Sequence, residues 1–224
     1  MTTVIDGSSL EDKRDRLVAL TRDMILIPSI PSRPDDRQRA FEFIKNHIES
    51  VGNVKVQEFV DQGIPSMVAM PAGISVPDIL MLGHLDVITH PDVSVYRSVI
   101  KEGRIIGPGA GDMKGSLAIL MEVFRTVHTN YPNASLGIAV TSDEEVGGAS
   151  GVGLLFNEKE IRCKIAMIPD GGSINKITIE EKGILHLNLK CEGKSAHAAR
   201  PWLGDNPINR LMDKLQDLRQ HFDA

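Results

Sequence analysis

The sequence predicts an α/β fold, a mostly parallel sheet flanked by helices, and three observations carry that expectation. Short, wholly apolar runs recur at Ile79-Leu80-Met81-Leu82, Leu136-Gly137-Ile138-Ala139-Val140 and Ile165-Ala166-Met167-Ile168. Strands that lack a polar alternate are buried on both faces, as in parallel sheets covered by helices. Stretches with apolar residues at helical spacing lie between these runs, which is the alternation of a βαβ architecture. Each run is also followed by a His or a carboxylate, and open α/β sheets hold ligands at the C-terminal ends of their strands.

The elements follow in order. Ser8-Ser9-Leu10-Glu11 fits a capping box, and Leu17, Leu20, Met24 and Ile27 continue at helical spacing up to Pro28. A loop marked by Pro28, Pro31 and Pro34 leads to a second helix from Asp35, with Ala40, Phe41, Ile44, Ile48 and Val51 inward and Gly52 as its stop. Residues 54–60 and 65–70 read as strands around a Gly-Pro turn. Beyond the strand at 79–82, a long loop contains a hairpin around Lys101-Glu102-Gly103-Arg104. The glycine-rich Gly107-Pro108-Gly109-Ala110-Gly111-Asp112-Met113-Lys114-Gly115 opens a helix with Leu117, Leu120, Met121, Phe124 and Val127 on one face. A helix from about residue 149 to 157 follows the 136–140 strand and precedes the strand at 164–169.

The pattern changes near residues 171–176, which places a boundary between a domain of residues 1–174 and the start of a second at 175–224. Ile177-Thr178-Ile179 and residues 183–189 alternate apolar with polar side chains, as half-exposed antiparallel strands do. A last helix after Asp205-Asn206-Pro207 sets Ile208, Leu211, Met212, Leu215, Leu218 and Phe222 on one face.

Composition narrows the partners. A net charge of -5, with no Lys/Arg run, argues against nucleic acid and anionic membrane and for a small molecule or peptide. The first residues lack a basic region followed by an apolar core, and no apolar run approaches a membrane span, so a cytoplasmic protein is expected. Cys163 and Cys191 are too few for a disulfide framework and too far apart for a CxxC site. The glycine loop matches neither GxGxxG nor GxxxxGK[ST], which disfavours nucleotide binding.

The chemistry gathers at the strand ends. His84 and Asp86 leave the 79–82 strand two residues apart and share a side in extended chain. The acidic triplet Asp143-Glu144-Glu145 stands where the 136–140 strand leaves the core, a costly place for like charges unless a cation is held between them. Asp112 is placed either to join them or to cap the following helix. With Asp170 after the next strand, His84, Asp112, Glu144 and Glu145 are expected along one sheet edge, a mixed N/O donor set suited to zinc and, less specifically, manganese or cobalt. Of two adjacent glutamates, one can coordinate while its neighbour serves as general base.

Gly83-His84-Leu85-Asp86, Gly109-Ala110-Gly111-Asp112-Met113-Lys114-Gly115 and Asp143-Glu144-Glu145-Val146-Gly147-Gly148 resemble three successive signatures of the M20 metallopeptidase family. The resemblance implies a zinc-exopeptidase-like catalytic domain over residues 1–174 and the first half of an α+β, ferredoxin-like lid over 175–224. It further implies two divalent metal ions, zinc first with cobalt or manganese as alternatives, held by His84 and Asp170, by Glu145, and by Asp112 as bridge. Glu144 would be the general base and Asp86 the partner that steadies His84. The implied reaction is cleavage of the amide bond of an N-acyl amino acid or small peptide by metal-activated water. In the lid segment, His197 matches the histidine that polarises the scissile carbonyl, and Arg200 and Asn206 fall where substrate contacts are expected. Residues 195–206 look most like bacterial desuccinylases. The resemblance also implies a homodimer through the lid and a further C-terminal metal-binding His that this sequence lacks. The sequence therefore reads as the N-terminal part of a longer protein. The alternative is a catalytically incomplete fragment that binds metal or dimerises.

Overall fold

A computed structural model of the protein describes residues 8–171, 175–180, 182–183 and 185–222, with side chains from Lys13 onward. The chain forms two compact units, Met1–Ile177 and Thr178–Ala224. In the first, α1 (Ser8–Ile25) and α2 (Pro34–Glu49) precede β1 (Val54–Asp61), β2 (Ile64–Pro71) and β3 (Ile79–His84). The hairpin of β4 (Val99–Lys101) and β5 (Arg104–Ile106) leads to α3 (Lys114–Asn130), β6 (Leu136–Thr141), a π-helix at Ala149–Glu158 and β7 (Ile165–Met167). The capping-box side chains expected at the start of α1 lie outside the described residues.

The five-stranded sheet has the order β1-β2-β6-β3-β7. β3 pairs in parallel with β6 and β7, and the β1–β2 hairpin adds two antiparallel pairings, so the sheet is mixed. Its parallel part is the three wholly apolar runs. The residues of β2, β3 and β6 sort between two cores with the period of two that extended chain imposes, whereas β7, expected to be buried on both faces, is the sheet's edge strand and is exposed. Met67, Ala69, Met81, Ile138 and Val140 pack under α1, α2 and α3 with Met24, Phe41, Ile44, Leu117, Met121 and Phe124. Val68, Met70, Leu80, Leu82 and Ala139 face the opposite way, onto Leu155 and Ile161. The sheet is therefore a middle layer between three helices and the π-helix, as α/β architecture requires.

Three expectations change. The β1–β2 turn is Gln62-Gly63, both at positive φ, and Pro65 lies inside β2 rather than in the turn. The helix after residue 149 is a π-helix, with Gly153 N–H donating to Gly148 O at 2.8 Å and Lys159 N–H to Leu154 O at 2.9 Å. Apolar spacing over ten residues does not separate i→i+5 from i→i+4 bonding. The strands expected at 177–179 and 183–189 form no ladder among the described residues. Alternation fixes which side a residue faces, but a ladder also needs a neighbouring backbone to accept its N–H groups.

The second unit holds α4 (Pro207–Arg219), whose N-cap Asn206 accepts from Ile208 N–H through Oδ1 at 2.9 Å, and an antiparallel bridge between Lys194 and Asp205. Ile208, Met212, Leu215 and Phe222, expected on one apolar face, are exposed. Among the described residues, no helix is long and apolar enough to cross a membrane.

Candidate metal centre

Parallel pairing sets His84 level with Thr141, so β3 and β6 leave the sheet side by side. One continues as Leu85-Asp86 and the other as Ser142-Asp143-Glu144-Glu145. The main chain keeps them together for one more residue, because Leu85 N–H donates to Thr141 O at 2.9 Å.

His84 is buried with its ring fixed from behind. Nδ1 lies 3.0 Å from the Asp86 carbonyl oxygen and 3.4 Å from Asp86 Oδ1, so it carries the proton and Nε2 points forward. Nε2 stands 3.0 Å from Asp112 Oδ1, 3.6 Å from Asp170 Oδ2 and 3.8 Å from Glu144 Oε2. Burial alone would lower the imidazole pKa, but the Asp86 hydrogen bond and the charges of Asp86, Asp170 and Glu144 outweigh it and raise the ring to about 9.

Asp86, also buried, orients the acidic turn as well. Its Oδ1 accepts from Glu144 N–H at 3.2 Å and its Oδ2 from Glu145 N–H at 3.1 Å. One carboxylate therefore aligns both the His and the two glutamates. Burial, reinforced by Asp170, Asp86 and Asp112, raises the Glu144 pKa against the pull of His84. Burial and then Asp112 do the same for Glu145.

Asp112 is not the helix cap. Met113 takes the N-cap position of α3 without a side-chain hydrogen bond, and the Asp112 carboxylate turns to His84 instead. Among the described residues, the set whose ligand atoms all lie within 4.8 Å of one another is His84, Glu144 and Asp170. Asp112 and Glu145 stand beside this trio.

The donor set fits a divalent cation on two counts. Two atoms bound to one tetrahedral zinc at roughly 2.0–2.2 Å stand about 3.4 Å apart, close to the 3.6 Å between His84 Nε2 and Asp170 Oδ2. Four carboxylates around one imidazole also leave negative charge that the ring alone does not offset, which a bound cation does.

Sequence reasoning missed Lys114, which is buried with Nζ donating to Met24 O at 2.9 Å and Ile27 O at 2.7 Å. Burial lowers its pKa to about 7, opposed by the charge of Asp86. A lysine at the head of an amphipathic helix carries no local sign of burial, so only packing reveals it.

His197, Arg200 and Asn206 belong to the second unit. Ala199 N–H donates to His197 Nδ1 at 3.2 Å, which leaves the proton of the neutral ring on Nε2. Arg200 precedes the 3₁₀ turn Pro201–Leu203, and the Asn206 oxygen is engaged as the α4 cap.

A family profile described as peptidase family M20/M25/M40 matches residues 80–221, which include every element of this centre. The chain belongs to that family. This M20-family chain is 28% identical over 218 residues to succinyl-diaminopimelate desuccinylase of Ruthia magnifica subsp. Calyptogena magnifica, covering 91% of the chain and 57% of that protein. It is 25% identical to a probable carboxypeptidase of Aspergillus clavatus, of which it covers 52%. The M20 chain thus spans about half the length of the curated relatives it matches. Human carnosine dipeptidase 1 shares its fold, with a TM-score of 0.62 at 18% identity over 75% of this chain and 41% of that one.

Proposed function

We propose that this chain carries the nucleus of a two-metal amidohydrolase that cleaves the amide bond of N-acyl amino acids or small peptides. The observation that carries the proposal is the convergence of Asp112, Glu144 and Asp170 oxygens on His84 Nε2 at 3.0–3.8 Å. His84 and Asp170 would hold one cation, Glu145 the second, and Asp112 both. Bound there, a divalent pair, zinc by this donor set with cobalt or manganese also compatible, supplies Lewis acidity toward water and the scissile carbonyl.

The chain's own residues do the rest. Asp86 keeps the His84 proton on Nδ1 and aims Nε2 forward. Glu144, its pKa raised by burial and neighbouring carboxylates, takes the proton from the attacking water and returns it to the leaving amine. His197, with Nε2–H available to a carbonyl oxygen, Arg200, suited to a substrate carboxylate, and Asn206, through its amide N–H groups, would recognise substrate. A homodimer through residues 175–224 is supported by the apolar groove between Leu185, Leu187, Leu215, Leu218 and Phe222. Two free thiols accord with a cytoplasmic setting.

The test is amine release from N-succinyl and N-acetyl amino acids and from dipeptides by the zinc-loaded protein. Glu144→Gln should lower turnover by roughly 10²–10⁴-fold, and full activity in that variant would sink the proposal. Zinc uptake without any turnover favours the second reading, a metal-binding or dimerising module.

A further inference from the structure

Asp143 has no role in the chemistry proposed above, yet it is the deeply buried member of the acidic triplet, at 2% exposure. Its Oδ2 accepts two backbone N–H groups, from Ser150 at 2.8 Å and from Gly151 at 3.1 Å. Its carbonyl oxygen accepts from Gly148 N–H at 2.8 Å and Val146 N–H at 3.3 Å. The segment 144–151 is therefore pinned at both ends by buried carboxylates, Asp86 on the N–H groups of Glu144 and Glu145 and Asp143 on those of Ser150 and Gly151.

The surroundings are shaped to this arrangement. Gly147 and Gly148 reverse the chain at φ 104° and 67°, a region that side-chain-bearing residues avoid. At Gly151 a Cβ would overlap Asp143 Oδ1 and stand 2.9 Å from Thr141 Cβ, so the close approach of main chain to carboxylate depends on glycine. Ser150 Oγ donates to Asp61 Oδ2 at 2.7 Å, tying the same turn to the end of β1. Asp143 Oδ1, by contrast, is buried without a hydrogen-bond partner. One oxygen does the holding, and the negative charge is not what the two donors require.

We propose that Asp143 is a positioning residue of the metal centre: by accepting from Ser150 and Gly151 N–H it fixes the turn that aims Glu144 and Glu145 toward His84. Glu144, Glu145, Asp112 and Asp170 repel one another, and a turn free to swing would spread them apart before any cation arrives. The clamp holds them at ligand spacing in advance, which is how partners behind a ligand raise metal affinity. This rests on the metal-centre proposal above.

The experiment is a calorimetric zinc titration of the chain and of Asp143→Ala, Asp143→Asn and Gly151→Ala, with denaturation midpoints measured in chelator. Alanine at either position should weaken zinc binding by roughly 10- to 100-fold, the usual loss when a partner behind a ligand is removed. Asparagine, whose single carbonyl oxygen can accept both N–H groups, should restore affinity close to that of the parent. A purely structural cap would move the midpoint and leave zinc affinity alone. If Asp143→Ala does not fold, Gly151→Ala, which keeps the carboxylate and displaces it, tests the same contact. Parental affinity in the alanine variants overturns the proposal, as does an asparagine variant that loses as much as alanine. A parent chain that takes up no zinc overturns the metal centre itself, and this inference with it.

Discussion

Lys114 Nζ donates to the carbonyl oxygen of Ile27 across 2.7 Å, joining the head of α3, two residues beyond Asp112, to the chain just past α1. The same ammonium reaches Met24 O, within the last turn of α1, where a positive charge meets the negative end of the helix dipole. A buried cation is costly to desolvate, so these contacts set its net worth.

Truncating this side chain separates volume from charge. Lys114→Ala leaves both a cavity and two carbonyls without their donor, and should cost about 3 kcal/mol. Lys114→Met refills the space and removes the desolvation penalty, and should cost about 1 kcal/mol. Urea midpoints of the two variants check the order, and a methionine variant as unstable as alanine would show that packing is not the larger part.

Glu122 is the ionic hub of the helical layer. Its carboxylate lies 3.3 Å from Arg16 of α1, 3.1 Å from His47 of α2 and 2.8 Å from Arg125 of its own helix. Glu122→Ala should destabilise by about 2 kcal/mol, because it leaves the half-buried Arg125 guanidinium and the His47 ring, whose pKa burial lowers, without their acceptor. Most of that loss should persist in 1 M salt, since buried pairs are weakly screened. A loss that vanishes with salt would mark the cluster as a surface contact.

The legible parts of this molecule are those set by periodicity. The apolar runs that become β3 and β6 announce their burial, the run that becomes the edge strand β7 is exposed despite its composition, and the residues that end the three, His84, Glu144 and Asp170, meet because parallel register aligns strand ends. Asp112 is ambiguous in sequence, since ligand and helix cap demand the same residue type at the same place, and only the turn of its carboxylate toward His84 separates them. Lys114 and Asp143 are illegible as partners, because each works through backbone groups that local pattern does not point to. Alternation at 183–189 predicts strands, but a ladder depends on a second backbone that the same alternation does not encode.

Metal binding should be readable as stability. A cation that binds the folded chain and not the unfolded one adds about 2.7 kcal/mol at a free concentration 100 times its dissociation constant. Zinc should therefore raise the melting temperature of the chain, and EDTA should reverse the rise. His84→Ala, which removes the imidazole on which Asp112, Glu144 and Asp170 converge, should abolish the shift. An equal zinc shift in that variant would place the cation elsewhere.

His128 supplies a pH test independent of the metal centre. Its ring packs edge-on to Phe124 with centroids 4.4 Å apart, Nε2–H donates to Leu136 O at 3.0 Å, and Nδ1 is buried without a partner. Burial lowers its pKa below 6.5, against the pull of the Leu136 carbonyl. Protonation would add a charge and an unsatisfied N–H at Nδ1. Below pH 6.5 the unfolded chain binds a proton that the folded chain resists, so stability falls as pH drops from 6.5 through the folded pKa, and this group contributes no slope above that window. His128→Gln, which can still donate to Leu136 O, should cost about 1 kcal/mol at neutral pH and should lose less stability than the parent on acidification across that window. His47, whose pKa burial also lowers, is present in both proteins and cancels in the comparison. Urea midpoints that fall equally for parent and variant would mean that His128 does not titrate in this way.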